Sequence, residues 1–277
     1  MKKYYIVLAV LVGLAAGAAG QTDVDLDPEV GARLGITLDK QLNKRLHVRL
    51  DEELRMDENF SAFDRIQGGV GLYCRMNSHL KFGAGYTFIK PFSSKAVESI
   101  PIRHRFSADV VVGSTFGDWR VTLRERVQAT IRTDSMNTYQ APRTAWALKS
   151  RVKATYKGFS RWQPYGSVEL RNTLNAPVVV ADYSESAGAW VSPATGLAKN
   201  EAGWFLDGFS GVYVNRVRGM LGVEYSISFG SAIDVSLLAD WNIDKKVDAN
   251  AEGTKLKSYT REQGLFAALV VSYKVEF

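Results

Sequence analysis

The chain has 277 residues, a formal net charge of +6, 46% hydrophobic residues and 23% charged ones. That length is enough for one large β domain or two small ones, and the absence of any later run of about 18 apolar residues excludes helical membrane spans. One cysteine, Cys74, excludes an internal disulfide, and the scattered His47, His79 and His104 offer no metal-ligand spacing.

The first element is an export signal. Lys2 and Lys3 precede the apolar run Ile6 to Leu14, and small residues follow to Gly20. A charged start, a short apolar stretch and small residues at the cleavage point define a secretory signal peptide. Cleavage is expected near Gly20, leaving 21–277 as the exported domain. Without Lys2 and Lys3 the net charge falls from +6 to +4, a mild balance that does not point to nucleic acid.

Beyond residue 27 the hydropathy alternates with period two, as in Arg45-Leu46-His47-Val48-Arg49-Leu50-Asp51 and Arg120-Val121-Thr122-Leu123-Arg124. Side chains of a strand point to opposite faces, so each such segment has one apolar and one polar face. Strands are predicted near 28–38, 44–56, 65–76, 80–89, 102–116, 119–132, 145–156, 162–171, 214–229, 232–243 and 263–277. They exceed the usual soluble strand of about 5–6 residues, and ten residues tilted by about 40° cover roughly 25 Å, the apolar height of an outer-membrane barrel. Tight turns at 116–119, 76–80 and 229–233 alternate with longer links at 57–64, 90–101, 133–144, 172–213 and 244–262. Short turns on one rim and long loops on the other suit such a barrel.

The fold class expected is all-β, an antiparallel transmembrane β-barrel of about 12 strands, with a range of about 10–14. Eleven strands are read, whereas bacterial single-chain barrels have even numbers. A short strand in 21–27 or an N-terminal segment in the lumen would each complete the count. Aromatic residues mark the strand ends: Phe116, Trp119, Tyr156, Phe159, Trp162 and Phe229 at the short turns, and Phe88, Trp146 and Trp241 opposite. Two such bands are expected where headgroups meet hydrocarbon. In the last strand Leu265, Ala267, Leu269, Val271, Tyr273, Val275 and Phe277 share a face, resembling the terminal strand that outer-membrane proteins present to the barrel-assembly machinery.

The polar face carries mostly cations. The lumen-lining candidates are Arg103, Arg105, Asp109, Arg120, Arg124 and Arg126 in the middle of the chain. Arg132, Lys149, Arg151, Lys153, Arg216 and Arg218 follow. Two readings stay open: an anion-attracting lumen, or an interior plugged by salt-bridged side chains. Glu52, His104 and Glu125 break the apolar face; a β-bulge that reverses the faces is the simplest account, and a protomer contact or a local site is the alternative. The 172–213 link, with Trp190, Trp204, Phe205 and Phe209, is long for a loop without structure: a lid, a ligand-binding surface or a passive loop. Barrel hydrolases of lipids set His and Ser two residues apart on one outward face, and no histidine here has such a neighbour. Gly83-Ala84-Gly85 lies within a strand and is no phosphate loop. Glycine there makes room for Tyr73 across the 76–80 hairpin. Neither an enzyme nor a cofactor is expected.

Taken together, LHVRLDEELRM (46–56), LKFGAGY (80–86), IRHRF (102–106), WRVTLRERVQ (119–128) and RGMLGVEY (218–225) resemble an uncharacterised family of exported Gram-negative proteins filed as a domain of unknown function. The resemblance implies an outer-membrane barrel and carries no site residues. The expected role is a pore or transport-type barrel in the outer membrane that passes or binds small anionic solutes, with outer-membrane lipid and the assembly machinery as partners. The alternatives are a closed barrel binding a partner through its long loop, or a lipid-modifying enzyme.

Overall fold

A computed structural model describes residues 22–92, 101–202, 206–228 and 230–277. The expected signal segment 1–20, Trp204, Phe205 and Phe229 lie outside the described residues.

The chain runs as β1 (Thr22–Asp25), β2 (Glu29–Gln41), β3 (Leu46–Asp57), β4 (Ala62–Arg75), β5 (Leu80–Pro91), β6 (Arg103–Phe116), β7 (Trp119–Arg132), β8 (Thr144–Tyr156) and β9 (Trp162–Ala176). A small hairpin, β10 (Asp182–Ser184) and β11 (Ala189–Val191), and a single helical turn, α1 (Lys199–Ala202), interrupt the strands. The main series resumes with β12 (Gly211–Ser228), β13 (Ser231–Ala249) and β14 (Leu256–Glu276). Strands β2 to β9 and β12 to β14 pair antiparallel with their neighbours, and β14 closes the ring on β2.

The closure explains the odd count. In an up-and-down ring of eleven strands the first and last run the same way, so they must meet in parallel. They do so from Phe266 opposite Glu29 to Glu276 opposite Asp39. The extra strand at 22–25 exists but does not make the ring even. It lies outside the ring as a second parallel partner of β14, Thr22 opposite Thr260 through Asp25 opposite Gln263. Pro28, which has no N–H to give, separates β1 from β2.

Local chemistry sets the register. The Asn77 side chain accepts from the amides of His79 and Leu80, both at 2.8 Å, and shapes the β4–β5 turn. Gly117 and Gly230 adopt φ of +57° and +82° in the two tightest turns, a region open to glycine at no steric cost. From these turns the strands pair without a shift through most of their length, for example Phe116 opposite Trp119 down to Arg103 opposite Arg132.

Side chains divide sharply between the two faces. Arg124 of β7 bonds Glu169 of β9, Arg33 of β2 bonds Asp240 of β13, and Tyr165 of β9 bonds Asp234 of β13. Each contact passes over an intervening strand, which side chains do on the concave face of a ring, where they converge. The charged rows therefore face the lumen. The opposite parity carries Leu34, Leu72, Phe106 and Val152, all exposed, with Leu221 and Leu237 72% and 66% exposed. By contrast Asp109, Glu169 and Asp240 are 5% exposed or less. The molecule is polar inside and apolar outside.

The long-link rim is more structured than a loop reading allows. Ala181 packs with Val247, Ala249, Leu256 and Tyr259 of β13 and β14, supported by Val179, Trp190 and Leu206. Trp190 Nε1 donates to the Lys257 carbonyl at 3.2 Å, and Asn137 of the β7–β8 link donates to the carbonyls of Ala249 and Asn250. Three links thus form one folded layer. β13 and β14 run beyond their predicted ends because Ile243, Val247 and Ala249 are buried on the face opposite to that of Asp234, Ser236, Leu238 and Asp240. This change of side hides the extension from a period-two reading.

Candidate functional site: the charged lumen

Two adjacent rows across β7, β8, β9 and β12 hold the densest charge. In one, Arg126, Lys149, Arg171 and Arg216 stand side by side as cross-strand partners. In the next, Arg124, Arg151, Glu169, Arg218 and, on β13, Asp240 do the same. Like charges directly opposite each other destabilise a sheet, so the arrangement needs counter-charge.

Three carboxylates supply part of it. Asp109 receives Arg126 through two bonds, at 2.5 and 2.8 Å, a forked pair of the stronger kind. Glu169 accepts from Arg124 at 2.9 Å and Arg216 at 3.1 Å. Asp240 accepts twice from Arg218, at 2.6 Å each, and from Arg33 at 3.3 Å. Nearer the short turns, Lys274 bonds Glu224 and Asp234, and Arg49 bonds Asp39.

Of the remaining lumen-lining candidates, Lys153 lies 3.5 Å from the centre of the Tyr165 ring, a cation–π contact. Arg103 and Arg132 stand opposite one another near the long-link rim. Arg120 is exposed at the short-turn rim. Among the described residues Arg105 donates only to the Thr130 hydroxyl, at 3.2 Å. Arg171 and Lys274 were not among the sequence candidates, although each continues an alternation, Glu169-Leu170-Arg171 and Ser272-Tyr273-Lys274, that marks it as inward-facing.

The lumen is hollow toward the short turns. A cavity of about 470 Å³ is lined by Arg33, Arg49, Glu53, Arg151, Arg218 and Lys274 among others. A second, of about 400 Å³, is lined by His47, Arg75, Lys81 and Phe277. Asp39, Arg49 and Glu276 line both, so the two cavities adjoin.

The bulge account of the three face-breaking residues is overturned. Glu52 stays in register between Ile36 and Gly68, His104 between Phe88 and Ile131, and Glu125 between Val110 and Ser150. With no shift at these places the faces cannot reverse, and all three point outward. Two have polar company there: Tyr86 Oη lies 2.7 Å from His104 Nδ1, and Ser150 Oγ donates to Glu125 at 2.6 Å. His104 stands opposite Ile131, six residues along β7 from Glu125, so the two pairs form no common site. No group of three or more His, Cys, Asp or Glu among the described residues is placed to hold a metal ion.

A closed, up-and-down β-barrel with an apolar exterior and an arginine-rich lumen is the class these observations define. Residues 32–186, over half of the chain and β2 through β10 of the fold, match the family described as a protein of unknown function, DUF2490. The chain belongs to that family. No curated protein matches it.

Proposed function

We propose that the protein is an outer-membrane barrel that takes small anionic solutes into its lumen. The observation that carries this reading is the inverted distribution of polarity, with bonded charges inside and exposed aliphatic side chains outside. Exposed apolar surface on this scale needs a covering, and hydrocarbon suits a ring without free edges. β3 to β9 have 12–15 residues, which at a barrel tilt spans roughly 30 Å. Trp119, Tyr156 and Phe159 meet in series at steep ring angles at the short-turn rim, with centroids 5.2 and 5.1 Å apart, and Phe63 meets Phe92 at the other rim. Such bands suit headgroup depth.

Export through residues 1–20, cleavage near Gly20 and delivery of β14 to the barrel-assembly machinery complete the proposal. The excess of lumen arginines over carboxylates favours anions, since charge of one sign in a low-dielectric channel concentrates its counter-ions. The test is single-channel recording in planar bilayers under a potassium chloride gradient. Discrete steps with a reversal potential on the chloride side are expected. Silence from correctly folded protein, or cation selectivity, overturns the reading.

A second reading is a closed barrel that presents the 177–210 unit to a partner. The guanidinium–carboxylate network crossing the lumen favours it, and it predicts a folded but silent protein.

A further inference from the structure

We infer that the lumen holds a built site for a phosphate-type oxyanion, formed by Arg105 of β6, Lys149 of β8 and Arg171 of β9. The inference rests on the proposed entry of anions into the lumen and adds a position and a chemistry to it.

The argument begins with unspent charge. Asp109 is engaged by Arg126, Glu169 by Arg124 and Arg216, Asp240 by Arg218 and Arg33, and Glu53 by Arg55. Lys149 and Arg171 are direct cross-strand partners on the lumen face, and neither forms a hydrogen bond or ion pair with any described residue. Arg171 Nε is closed to solvent and without a partner. Arg105 has one hydroxyl acceptor, Thr130, and its strongest electrostatic neighbours are four other arginines, Arg171 first. Asp244, near the long-link rim, is the carboxylate that acts most strongly on Arg171 but makes no bond to it. Burying cations without partners costs several kcal/mol per ion, and a bound anion removes that cost.

The donor set selects the anion. Two guanidiniums and an ammonium approach from three strands, so the ligand must offer oxygens in several directions and more than one negative charge. A monocarboxylate satisfies one guanidinium edge. A tetrahedral dianion satisfies all three groups, and arginine forks match its oxygen spacing. Arg151, the next inward residue of β8 after Lys149, lines the 470 Å³ cavity, so that cavity reaches to the inward position next to Lys149.

The chemistry has two sources, free phosphate or the phosphorylated headgroup of a glycolipid, and the test separates them. The full exported chain is folded in a phosphate-free, uncharged detergent. Binding of inorganic phosphate is followed by titration calorimetry with chloride as the competing ion. Retention of a phosphorylated glycolipid through repurification is followed in parallel. Saturable uptake of one or the other is expected, weakened about tenfold or more by Lys149→Gln with Arg171→Gln and unchanged by Arg45→Gln in an exposed turn. A heat-dependent gel shift verifies that each variant is folded. Phosphate uptake assigns the site to free solute, and lipid retention alone assigns it to a headgroup. Uptake of neither, or equal uptake by the double variant, overturns the site. Anion-selective current without phosphate binding would leave the pore reading standing and remove only this site. Binding without current would do the reverse.

Discussion

Tyr73 illustrates how single residues set the barrel's interior. Its ring lies over Gly83 across the β4–β5 hairpin, where an added Cβ would fall 2.4 Å from Cδ1, and over Gly71, where it would fall 2.8 Å from Cε2. Lys81 Nζ and Arg49 Cζ stand 4.5 and 5.1 Å from the ring centre, so the aromatic face also holds two cations in the lumen. Gly83→Val is expected to lower stability by about 1–3 kcal/mol through overpacking, measured as a lower urea midpoint in gel-monitored refolding. An unchanged midpoint would mean that the ring has room to move. The Tyr73–Gly83 pairing was readable in the sequence because the short Met76–Leu80 turn fixes the register. Arg33–Asp240 was not readable as a pair, because it crosses the closure between residues 207 positions apart. Alternation gives each residue its face but not its partner across the lumen. For the same reason most inward cations were visible in the sequence, and which of them lack a carboxylate partner was not.

At the scale of elements, alternation and turn chemistry located the eleven ring strands to within a few residues, apart from the end of β9, the last third of β13 and the first third of β14. In β13 and β14 it failed because Val179, Ala181, Trp190 and Leu206 of the long link pack against Val247, Ala249, Leu256 and Tyr259 and bury a face that is exposed in the rest of the strands. Depth along a single strand gives a test that separates lipid from water outside. Val152 sits mid-strand in β8, exposed between Leu123 and Val168, while Phe116 is 65% exposed at the end of β6. In a bilayer, Val152→Arg should cost about 2–4 kcal/mol and Phe116→Arg about 0–1 kcal/mol, read from unfolding midpoints in lipid vesicles. An aqueous exterior predicts no such difference, and equal effects would count against membrane insertion.

For the whole molecule, the parallel seam has the largest consequence. β2 begins on the long-link rim, together with the start of β14, and both strands end on the short-turn rim, where the Phe277 amide donates to the Asp39 carbonyl at 3.0 Å. If short turns face the periplasm, the segment ahead of β2 emerges on the opposite side and must cross before the ring closes. An even-stranded barrel has no such requirement, so the seam itself is the point to test. Leu34 and Val271 are paired across it on the outer face. With Cys74→Ser removing the native thiol, Leu34→Cys and Val271→Cys place two sulfurs within disulfide reach, which needs Cα atoms no more than about 7 Å apart. Oxidation of the folded protein should yield an intramolecular disulfide, seen as a reducible mobility shift on a denaturing gel. A parallel ladder shifted by two residues, or closure through another strand, separates these positions and leaves both thiols free to react with maleimide. Free thiols in folded protein would therefore overturn the seam in this register while leaving the lumen chemistry of β7, β8 and β9, which lie away from the seam, as described.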